Sequence, residues 1–341
     1  LTEIANRQWT LAKRPQGMIN PSDFAFGTVA VPNIGYGEVL VRTLYLSSDP
    51  LQRIWLGAAG FTPQSVAIGD AVIAFGIGQV VESRNVDIKR GEILQGVLCW
   101  SDYVVLKPDD LAICRKVTHD MPLTWNMTII GETALAAYYG MALIGQPKST
   151  DVVLVSGAAG ATGSVAGQVA RLKGASRVVG IVGNAEKAKW LVDVARFDAA
   201  VDHSTGDLAD LIRSECPDRV DVFFDNIGGN VLEAGIANIA ERARIVICGA
   251  ISGYNALQFN GPRNYMELAR LGARMEGVNL IHHSDHLIEA QDELIGWARS
   301  GDLRIEESVT EGLENAPSSL LSVFEGSNIG KAFIKVSDAE M

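Results

Sequence analysis

Two hydrophobic rhythms divide the chain. Up to about residue 125, short apolar or alternating runs at 39–46, 70–81 and 103–106 are punctuated by glycines and by Pro15, Pro21, Pro32, Pro50, Pro63 and Pro108. Period-two alternation broken by turn formers predicts a β-rich unit. From about residue 123 the rhythm changes to amphipathic stretches set between short buried runs. Strands are predicted at 152–156, 177–182, 200–202, 220–225 and 244–248, and helices at 129–143, 164–173, 186–196, 208–215 and 231–239. Strands alternating with helices imply a right-handed, doubly wound parallel sheet. Strand-like runs return near the C-terminus, most clearly at 330–336, and the last strand is expected to rejoin the first unit. The expected organisation is an α/β Rossmann domain over 126–302 and a β-rich domain over 1–125 completed by 303–341.

Composition narrows the class. The 341 residues suffice for two domains, and 48% hydrophobic with 20% charged residues is an ordinary soluble balance. A net charge of −11 argues against nonspecific nucleic-acid or anionic-membrane partners. No apolar run reaches the ~18 uninterrupted residues of a membrane span. The polar opening, with Arg7, Lys13 and Arg14, has no secretory core. Cys99, Cys114, Cys216 and Cys248 are too scattered for a CxxC pair or a disulfide framework, so a reducing cytoplasm is expected. His282, His283 and His286, with Asp285 among them, fall in one short segment that reads better as a solvated helix start than as a metal site. No metal is expected.

Residues 152–175, VVLVSGAAGATGSVAGQVARLKGA, carry the chemistry. An apolar strand runs through Gly157, Ala159, Gly160, Ala161, Thr162 and Gly163 into a helix, bringing bare backbone and a positive helix end to one place. This geometry holds a dinucleotide pyrophosphate, although the spacing is not GxGxxG; a tight turn without a ligand is the plain alternative. A carboxylate about twenty residues further on would bind the ribose hydroxyls of NAD. Val182, Gly183 and Asn184 stand there instead, followed by Lys187 and Lys189. Missing acid and nearby ammonium groups favour the 2′-phosphate of NADP(H). Otherwise both lysines, Lys189 the more readily, lie on a solvated helix face.

The segments NRQWTLAKRP (6–15), YLSSDPLQR (45–53), VVES (80–83), WSDY (100–103), FDNIGG (224–229), ICGAISGYN (247–255), EGLENAP (311–317) and GSNIGKAFIKV (326–336) span the chain. In this order, together with the glycine turn, the sequence resembles the zinc-free branch of the medium-chain dehydrogenase/reductase superfamily. That branch contains prostaglandin (leukotriene B4) reductases, plant alkenal double-bond reductases and curcumin-reductase-like enzymes. The resemblance implies a GroES-like β domain beside the Rossmann domain, a homodimer, and NADPH-dependent reduction of the C=C bond of small enals and enones. It also implies roles for single residues. Asn226 lies beneath the nicotinamide with Gly228 giving close approach, and Cys248, Gly249 and Ala250 meet the carboxamide. Asn328 reaches the phosphates, Lys187 the 2′-phosphate, and His203 stands where relatives often carry a tyrosine. Tyr254 faces the nicotinamide ribose or the substrate carbonyl, unless it is a packed rim aromatic. Asp225 can equally be a helix cap. Asp49, Leu51, Gln52 and Trp100 fall at the substrate pocket.

Departures from the family pattern concentrate at that pocket. Asp49–Pro50–Leu51–Gln52 replaces DPYM, removing an aromatic wall, and Ala136 replaces a threonine near the nicotinamide ribose. Glu132 stands where relatives have methionine. A carboxyl in an apolar site has a raised pKa, so Glu132 is expected to donate a proton or anchor a polar group, unless it is only a rim carboxylate. With hydride supplied by the cofactor, Tyr254 and Glu132 are the side chains expected to act. Three functions remain open: alkene reductase, zinc-independent NADP-dependent carbonyl reductase or alcohol dehydrogenase, and non-catalytic NADPH-binding protein.

Overall fold

The computed structural model describes residues 5–57, 65–117, 120–256 and 261–340; Pro63 lies outside them. One sheet is parallel and six-stranded, ordered Ala199–Asp202, Arg177–Val182, Val152–Val155, Val220–Asp225, Ile239–Ile247 and Arg274–Gly277. Numbered along the chain, that is the 3-2-1-4-5-6 order of a dinucleotide-binding fold. Two of the expected strands have the expected bounds, while the fifth starts at Ile239 rather than 244, and the sixth has no counterpart in the expectation. Alternate side chains point to opposite faces. Val153, Val155, Val222, Phe224 and Val246 pack on one side, and Leu154, Val179, Ile181, Phe223 and Ile245 on the other. Burial on both faces explains why these strands read as continuous apolar runs.

The helix Ala161–Leu172 lies unusually close to its surroundings because glycines strip one face. A Cβ on Gly163 would sit 2.3 Å from the Gly157 carbonyl oxygen, and one on Gly167 would sit 2.0 Å from the Phe197 ring. The expected helix 129–143 is split instead. It forms an α-helix over Glu132–Tyr138, continues as a wide π turn over Tyr139–Gly145, and stops at Gln146 with φ 47°. Gly140 in that turn leaves room for Phe224, whose ring would meet a Cβ at 2.6 Å.

The second sheet runs Glu307–Glu311, Lys331–Lys335, Val39–Ser47, Ile73–Ser83, Ile93–Cys99 and Arg115–Lys116, with Tyr103–Leu106 also paired to Val39–Ser47. Lys331–Lys335 is antiparallel to Val39–Ser47, with Phe333 opposite Ser47, so the C-terminal segment enters the sheet of the N-terminal half. Trp100 and Leu98 sit fully buried in the core beneath it. A hairpin of Ala5–Leu11 and Phe24–Ala30 flanks this unit.

The tight helix seat makes Gly167→Ala a core overpacking change. Thermal melts should show a loss of about 1–3 kcal/mol, and Phe197→Leu in the same chain should recover part of it.

Candidate active site

The crevice opens where the strand order of the parallel sheet reverses, between Val152–Val155 and Val220–Asp225, the place where this topology takes its ligand. It is a cavity of about 730 Å³ whose lining comes from both sheets. Gly157, Ala159, Gly160, Ala161, Thr162 and Gly163 form its floor. Gly157 turns with φ 57°, and Gly160 caps the following helix without any side chain, leaving the first amides of the helix unclaimed by a cap. Free N–H groups at a helix start, approached over bare glycine, fit a pyrophosphate.

The next loop is braced by a buried carboxylate. Asp225 accepts the Ser156 hydroxyl at 2.6 Å and the amides of Ile227 and Gly228 at 3.2 and 2.9 Å. Ser156 in turn accepts the Asn226 amide, and the Asn226 side chain donates to the Ser156 carbonyl at 2.7 Å. Asp225 is therefore a loop brace whose last bond reaches Gly228, the residue before helix Gly229–Ile236. Burial raises its pKa even against these three donors. Burial, with Asp225 nearby, also pushes the Cys248 thiol up to about 12.

At the Gly183 end of the cavity, Asn184 spends its side chain on capping the next helix, accepting the Lys187 amide at 2.9 Å. Lys189 points away and pairs with Asp193 one turn on. Lys187 instead lines the cavity, beside Gly326, and burial lowers its pKa. Among the described residues no carboxylate lies in ion-pair contact with its ammonium, which is the state of a cation that an incoming phosphate would neutralise. His203 lines the same end, its Nε2 3.3 Å from the place a Cβ on Gly183 would take. Asn328 also faces the cavity, with its side chain donating to the Gly330 carbonyl at 3.0 Å.

At the other end, Gly249 and Cys248 line the cavity with Tyr254, and Ala250 contributes its amide to the Tyr254 hydroxyl at 3.3 Å. Burial raises the Tyr254 pKa above its ordinary 10.0, so the phenol stays protonated near neutrality. Asp49 and Leu51 line the wall opposite, as does Glu132. Glu132 shares its Oε1 with Gln95 Nε2 at 3.4 Å and Arg115 Nη2 at 3.5 Å. Burial raises its pKa, against the opposing pull of Arg115 and Lys331. Its surroundings are thus partly polar, not the wholly apolar site expected from the sequence.

Two expected pocket residues lie elsewhere. Trp100 is 0% exposed and packs on Phe24 in the β core, 5.3 Å between ring centroids. Gln52 is buried behind the wall, accepting the Asp49 amide and donating to the Ile73 carbonyl. The missing aromatic at Leu51 is offset by Phe75, which lines the cavity and is braced edge-on by Trp55. Thr133 also lines the cavity, one helical turn before Ala136, so a hydroxyl stands near the one lost there. Lys331, 3% exposed and ion-paired to Asp49 across the wall, escaped the sequence reading, as did Phe324. Phe75 lies in none of the segments that resemble the family, and Lys331, though inside GSNIGKAFIKV, had no role assigned to it; sheet pairing brings both strands to the cleft.

The doubly wound sheet, the glycine cradle and the β-rich unit closing over it define a two-domain nicotinamide-dependent oxidoreductase. Residues 7–114 match the family model described as N-terminal domain of oxidoreductase, and 161–291 the one described as zinc-binding dehydrogenase. YfmJ of Bacillus subtilis, named as an NADP-dependent oxidoreductase, is 41% identical over 339 residues, 98% of each chain. The NADP(+)-dependent 2-alkenal reductase of Nicotiana tabacum is 33% identical over 342 residues, again 98% of each. The crystal structure of CurA from Vibrio vulnificus with NADPH superposes with a TM-score of 0.90 at 30% identity, covering 97% of this chain and 99% of that one. The chain belongs to the medium-chain dehydrogenase/reductase superfamily, in the branch of prostaglandin, alkenal and curcumin reductases, and is an NADP-dependent oxidoreductase. The second family description implies zinc, but among the described residues no group of three or more His, Cys, Asp or Glu can hold a metal ion, so the donor set does not fit one.

Lys187→Ala should remove a charge-assisted contact of about 1.5–3 kcal/mol. The Michaelis constant for NADPH should rise about 10-fold to 150-fold with little change for NADH, while Lys189→Ala leaves both unchanged.

Proposed function

We propose that the enzyme reduces the C=C bond of α,β-unsaturated aldehydes and ketones, with hydride added at the β-carbon. The observation that carries this reading is the Tyr254 phenol, held by the Ala250 amide at the Cys248–Gly249 end of the cavity and kept protonated by burial. NADPH, when bound, supplies the hydride. The chain's part is to hold and polarise. Gly157, Ala159, Gly160, Ala161, Thr162 and Gly163 hold the pyrophosphate by backbone. Lys187 and His203 take the 2′-phosphate end, and Asn328 contributes to the phosphates. Asn226, Cys248, Gly249 and Ala250 seat the nicotinamide.

As the β-carbon gains hydride, the alkene electron pair shifts toward the carbonyl oxygen. Tyr254, neutral at working pH, donates to that growing enolate charge. Protonation at the α-carbon completes the reduction. Glu132 supports a second, finer proposal. Gln95 and Arg115 engage one of its oxygens from behind, and the side chain remains 31% exposed at the cavity. That leaves it placed to anchor a polar group of the substrate. The 2-alkenal reductase name borne by a relative supports the reaction class. The reading also takes the enzyme as a cytoplasmic homodimer. The free thiols agree with a reducing setting, and the edge strand Arg274–Gly277, exposed along its length, offers a surface for a second copy.

NADPH oxidation should be followed with matched enones, saturated ketones and quinones, and the products identified. Saturated carbonyl product is expected from the enones. Allylic alcohol would move the enzyme to the carbonyl reductases, and tight NADPH binding without turnover would make it a binding protein. Tyr254→Phe should lower kcat about 100-fold, the scale of a lost oxyanion donor. Glu132→Met should leave turnover of a simple enone intact while reducing kcat/KM for one with a distal hydroxyl; equal effects on both would remove Glu132 from substrate binding.

A further inference from the structure

Arg53 is the least expected side chain near the cleft. It sits on the short helix Leu51–Trp55, whose first residue lines the cavity, yet it is itself 1% exposed. Among the described residues it makes no ion pair. Its Nε donates to the Gly17 carbonyl at 3.1 Å, and Nη2 donates to the carbonyls of Pro15, Gly17 and Asn255 at 3.2, 3.1 and 3.1 Å. Nη1 is buried with no partner. Burial lowers the guanidinium pKa, and Asp23 only partly opposes this. A buried cation without a counter-ion is costly, and an apolar side chain of similar volume would serve packing better.

What the cation gains is a set of directional bonds between separate pieces of chain. Pro15 and Gly17 belong to the β-rich half, as does Arg53 itself. Asn255 directly follows Tyr254 at the end of helix Ile251–Tyr254 in the other half. The bond to the Asn255 carbonyl therefore ties the cavity wall that carries Leu51 to the segment that carries the phenol. Asn255 is held a second time, with its side-chain amide against the Met18 sulfur at 3.3 Å. Its side-chain Oδ1 is buried and unpartnered, like Nη1 of the arginine already bonded to its backbone. A buried donor and a buried acceptor without partners thus sit on two residues already joined through the Asn255 carbonyl.

We propose that Arg53 is a positioning residue that sets Tyr254 against the substrate wall: the Arg53–Asn255 link fixes the phenol, not the protein's stability, as its main task. This rests on the proposed role of Tyr254, since the arginine acts only through it. A planar, always charged fork is suited to holding several carbonyls at once, which an ammonium does less well.

The test is a double-mutant cycle in the full-length enzyme, with NADPH and a simple enone. Arg53→Met should lower kcat about tenfold or more while NADPH affinity, measured by fluorescence titration, stays within about twofold. Arg53→Lys, which keeps the charge and a hydrogen-bond donor, should recover part of the rate. In the Tyr254→Phe background, Arg53→Met should cost little further. Full additivity of the two changes would overturn the positioning role while leaving that of Tyr254 standing. So would an unchanged kcat in Arg53→Met, or loss of rate in step with loss of folded protein on thermal melts for Met and Lys alike. A silent Tyr254→Phe would overturn both readings, and that single variant separates the two failures.

Discussion

The contact on which the site depends is the bond from the Gly330 amide to the Ala159 carbonyl, 2.8 Å long. Ala159 belongs to the glycine turn of the parallel sheet, while Gly330 opens the last strand of the other sheet. One peptide group therefore fixes the β-rich half against the cradle. No other residue fits at 330. The backbone turns there with φ 67°, and a Cβ would lie 2.0 Å from the Glu306 carbonyl oxygen. The next residue, Lys331, reaches Asp49 in a buried ion pair that also engages Ser47 through the same carboxylate. Two consecutive residues thus join the glycine turn at one end of the cleft to the Asp49 wall at the other, one by a hydrogen bond and one by an ion pair.

Polar groups buried around the cleft serve shape more than stability. Asp225 accepts three bonds and carries a raised pKa, so its burial costs free energy that the bonds only partly return. The return is a loop of defined form from Asn226 to Gly228, where φ 72° and close contact with Ala250 demand glycine. A second effect follows at Cys248. Its thiol lines the cavity but is held protonated, because burial and the Asp225 charge both oppose ionisation. A thiolate there would add to an electrophilic enone; the neutral thiol is a poor nucleophile. The same buried acid therefore shapes the Asn226–Gly228 loop and adds to the burial that keeps the neighbouring thiol protonated.

The sequence was legible wherever function uses backbone. A tight passage from strand through turn to helix needs glycine at fixed places, and Gly157, Gly160 and Gly163 announced that turn. The fully buried strands announced themselves by unbroken apolar runs. The edge strand Arg274–Gly277 did not, because an edge carries no such run: its four residues, Arg, Met, Glu and Gly, are all exposed. Trp100 misled for the opposite reason. Its motif matched the family, but whether a tryptophan faces a core or a cavity depends on sheet register, and here it is sealed against Phe24.

The substrate end resists reading because its surface is assembled from elements far apart in the chain. Leu51 comes from one helix, Phe75 from a central strand, Glu132 and Thr133 from the first turn of another helix, and Phe324 from the last helix. The sequence predicts losses there: an aromatic gone at Leu51 and a hydroxyl gone at Ala136. The structure turns each loss into a relocation. Phe75, held by Trp55, restores an aromatic wall from a strand, and Thr133 offers a hydroxyl one turn away from Ala136 on the same face. Phe75 and Thr133 thus keep an aromatic ring and a hydroxyl on the cavity lining, each carried by a different position. Glu132, held by Gln95 and Arg115, then stands on that wall as a polar group with no relocated counterpart.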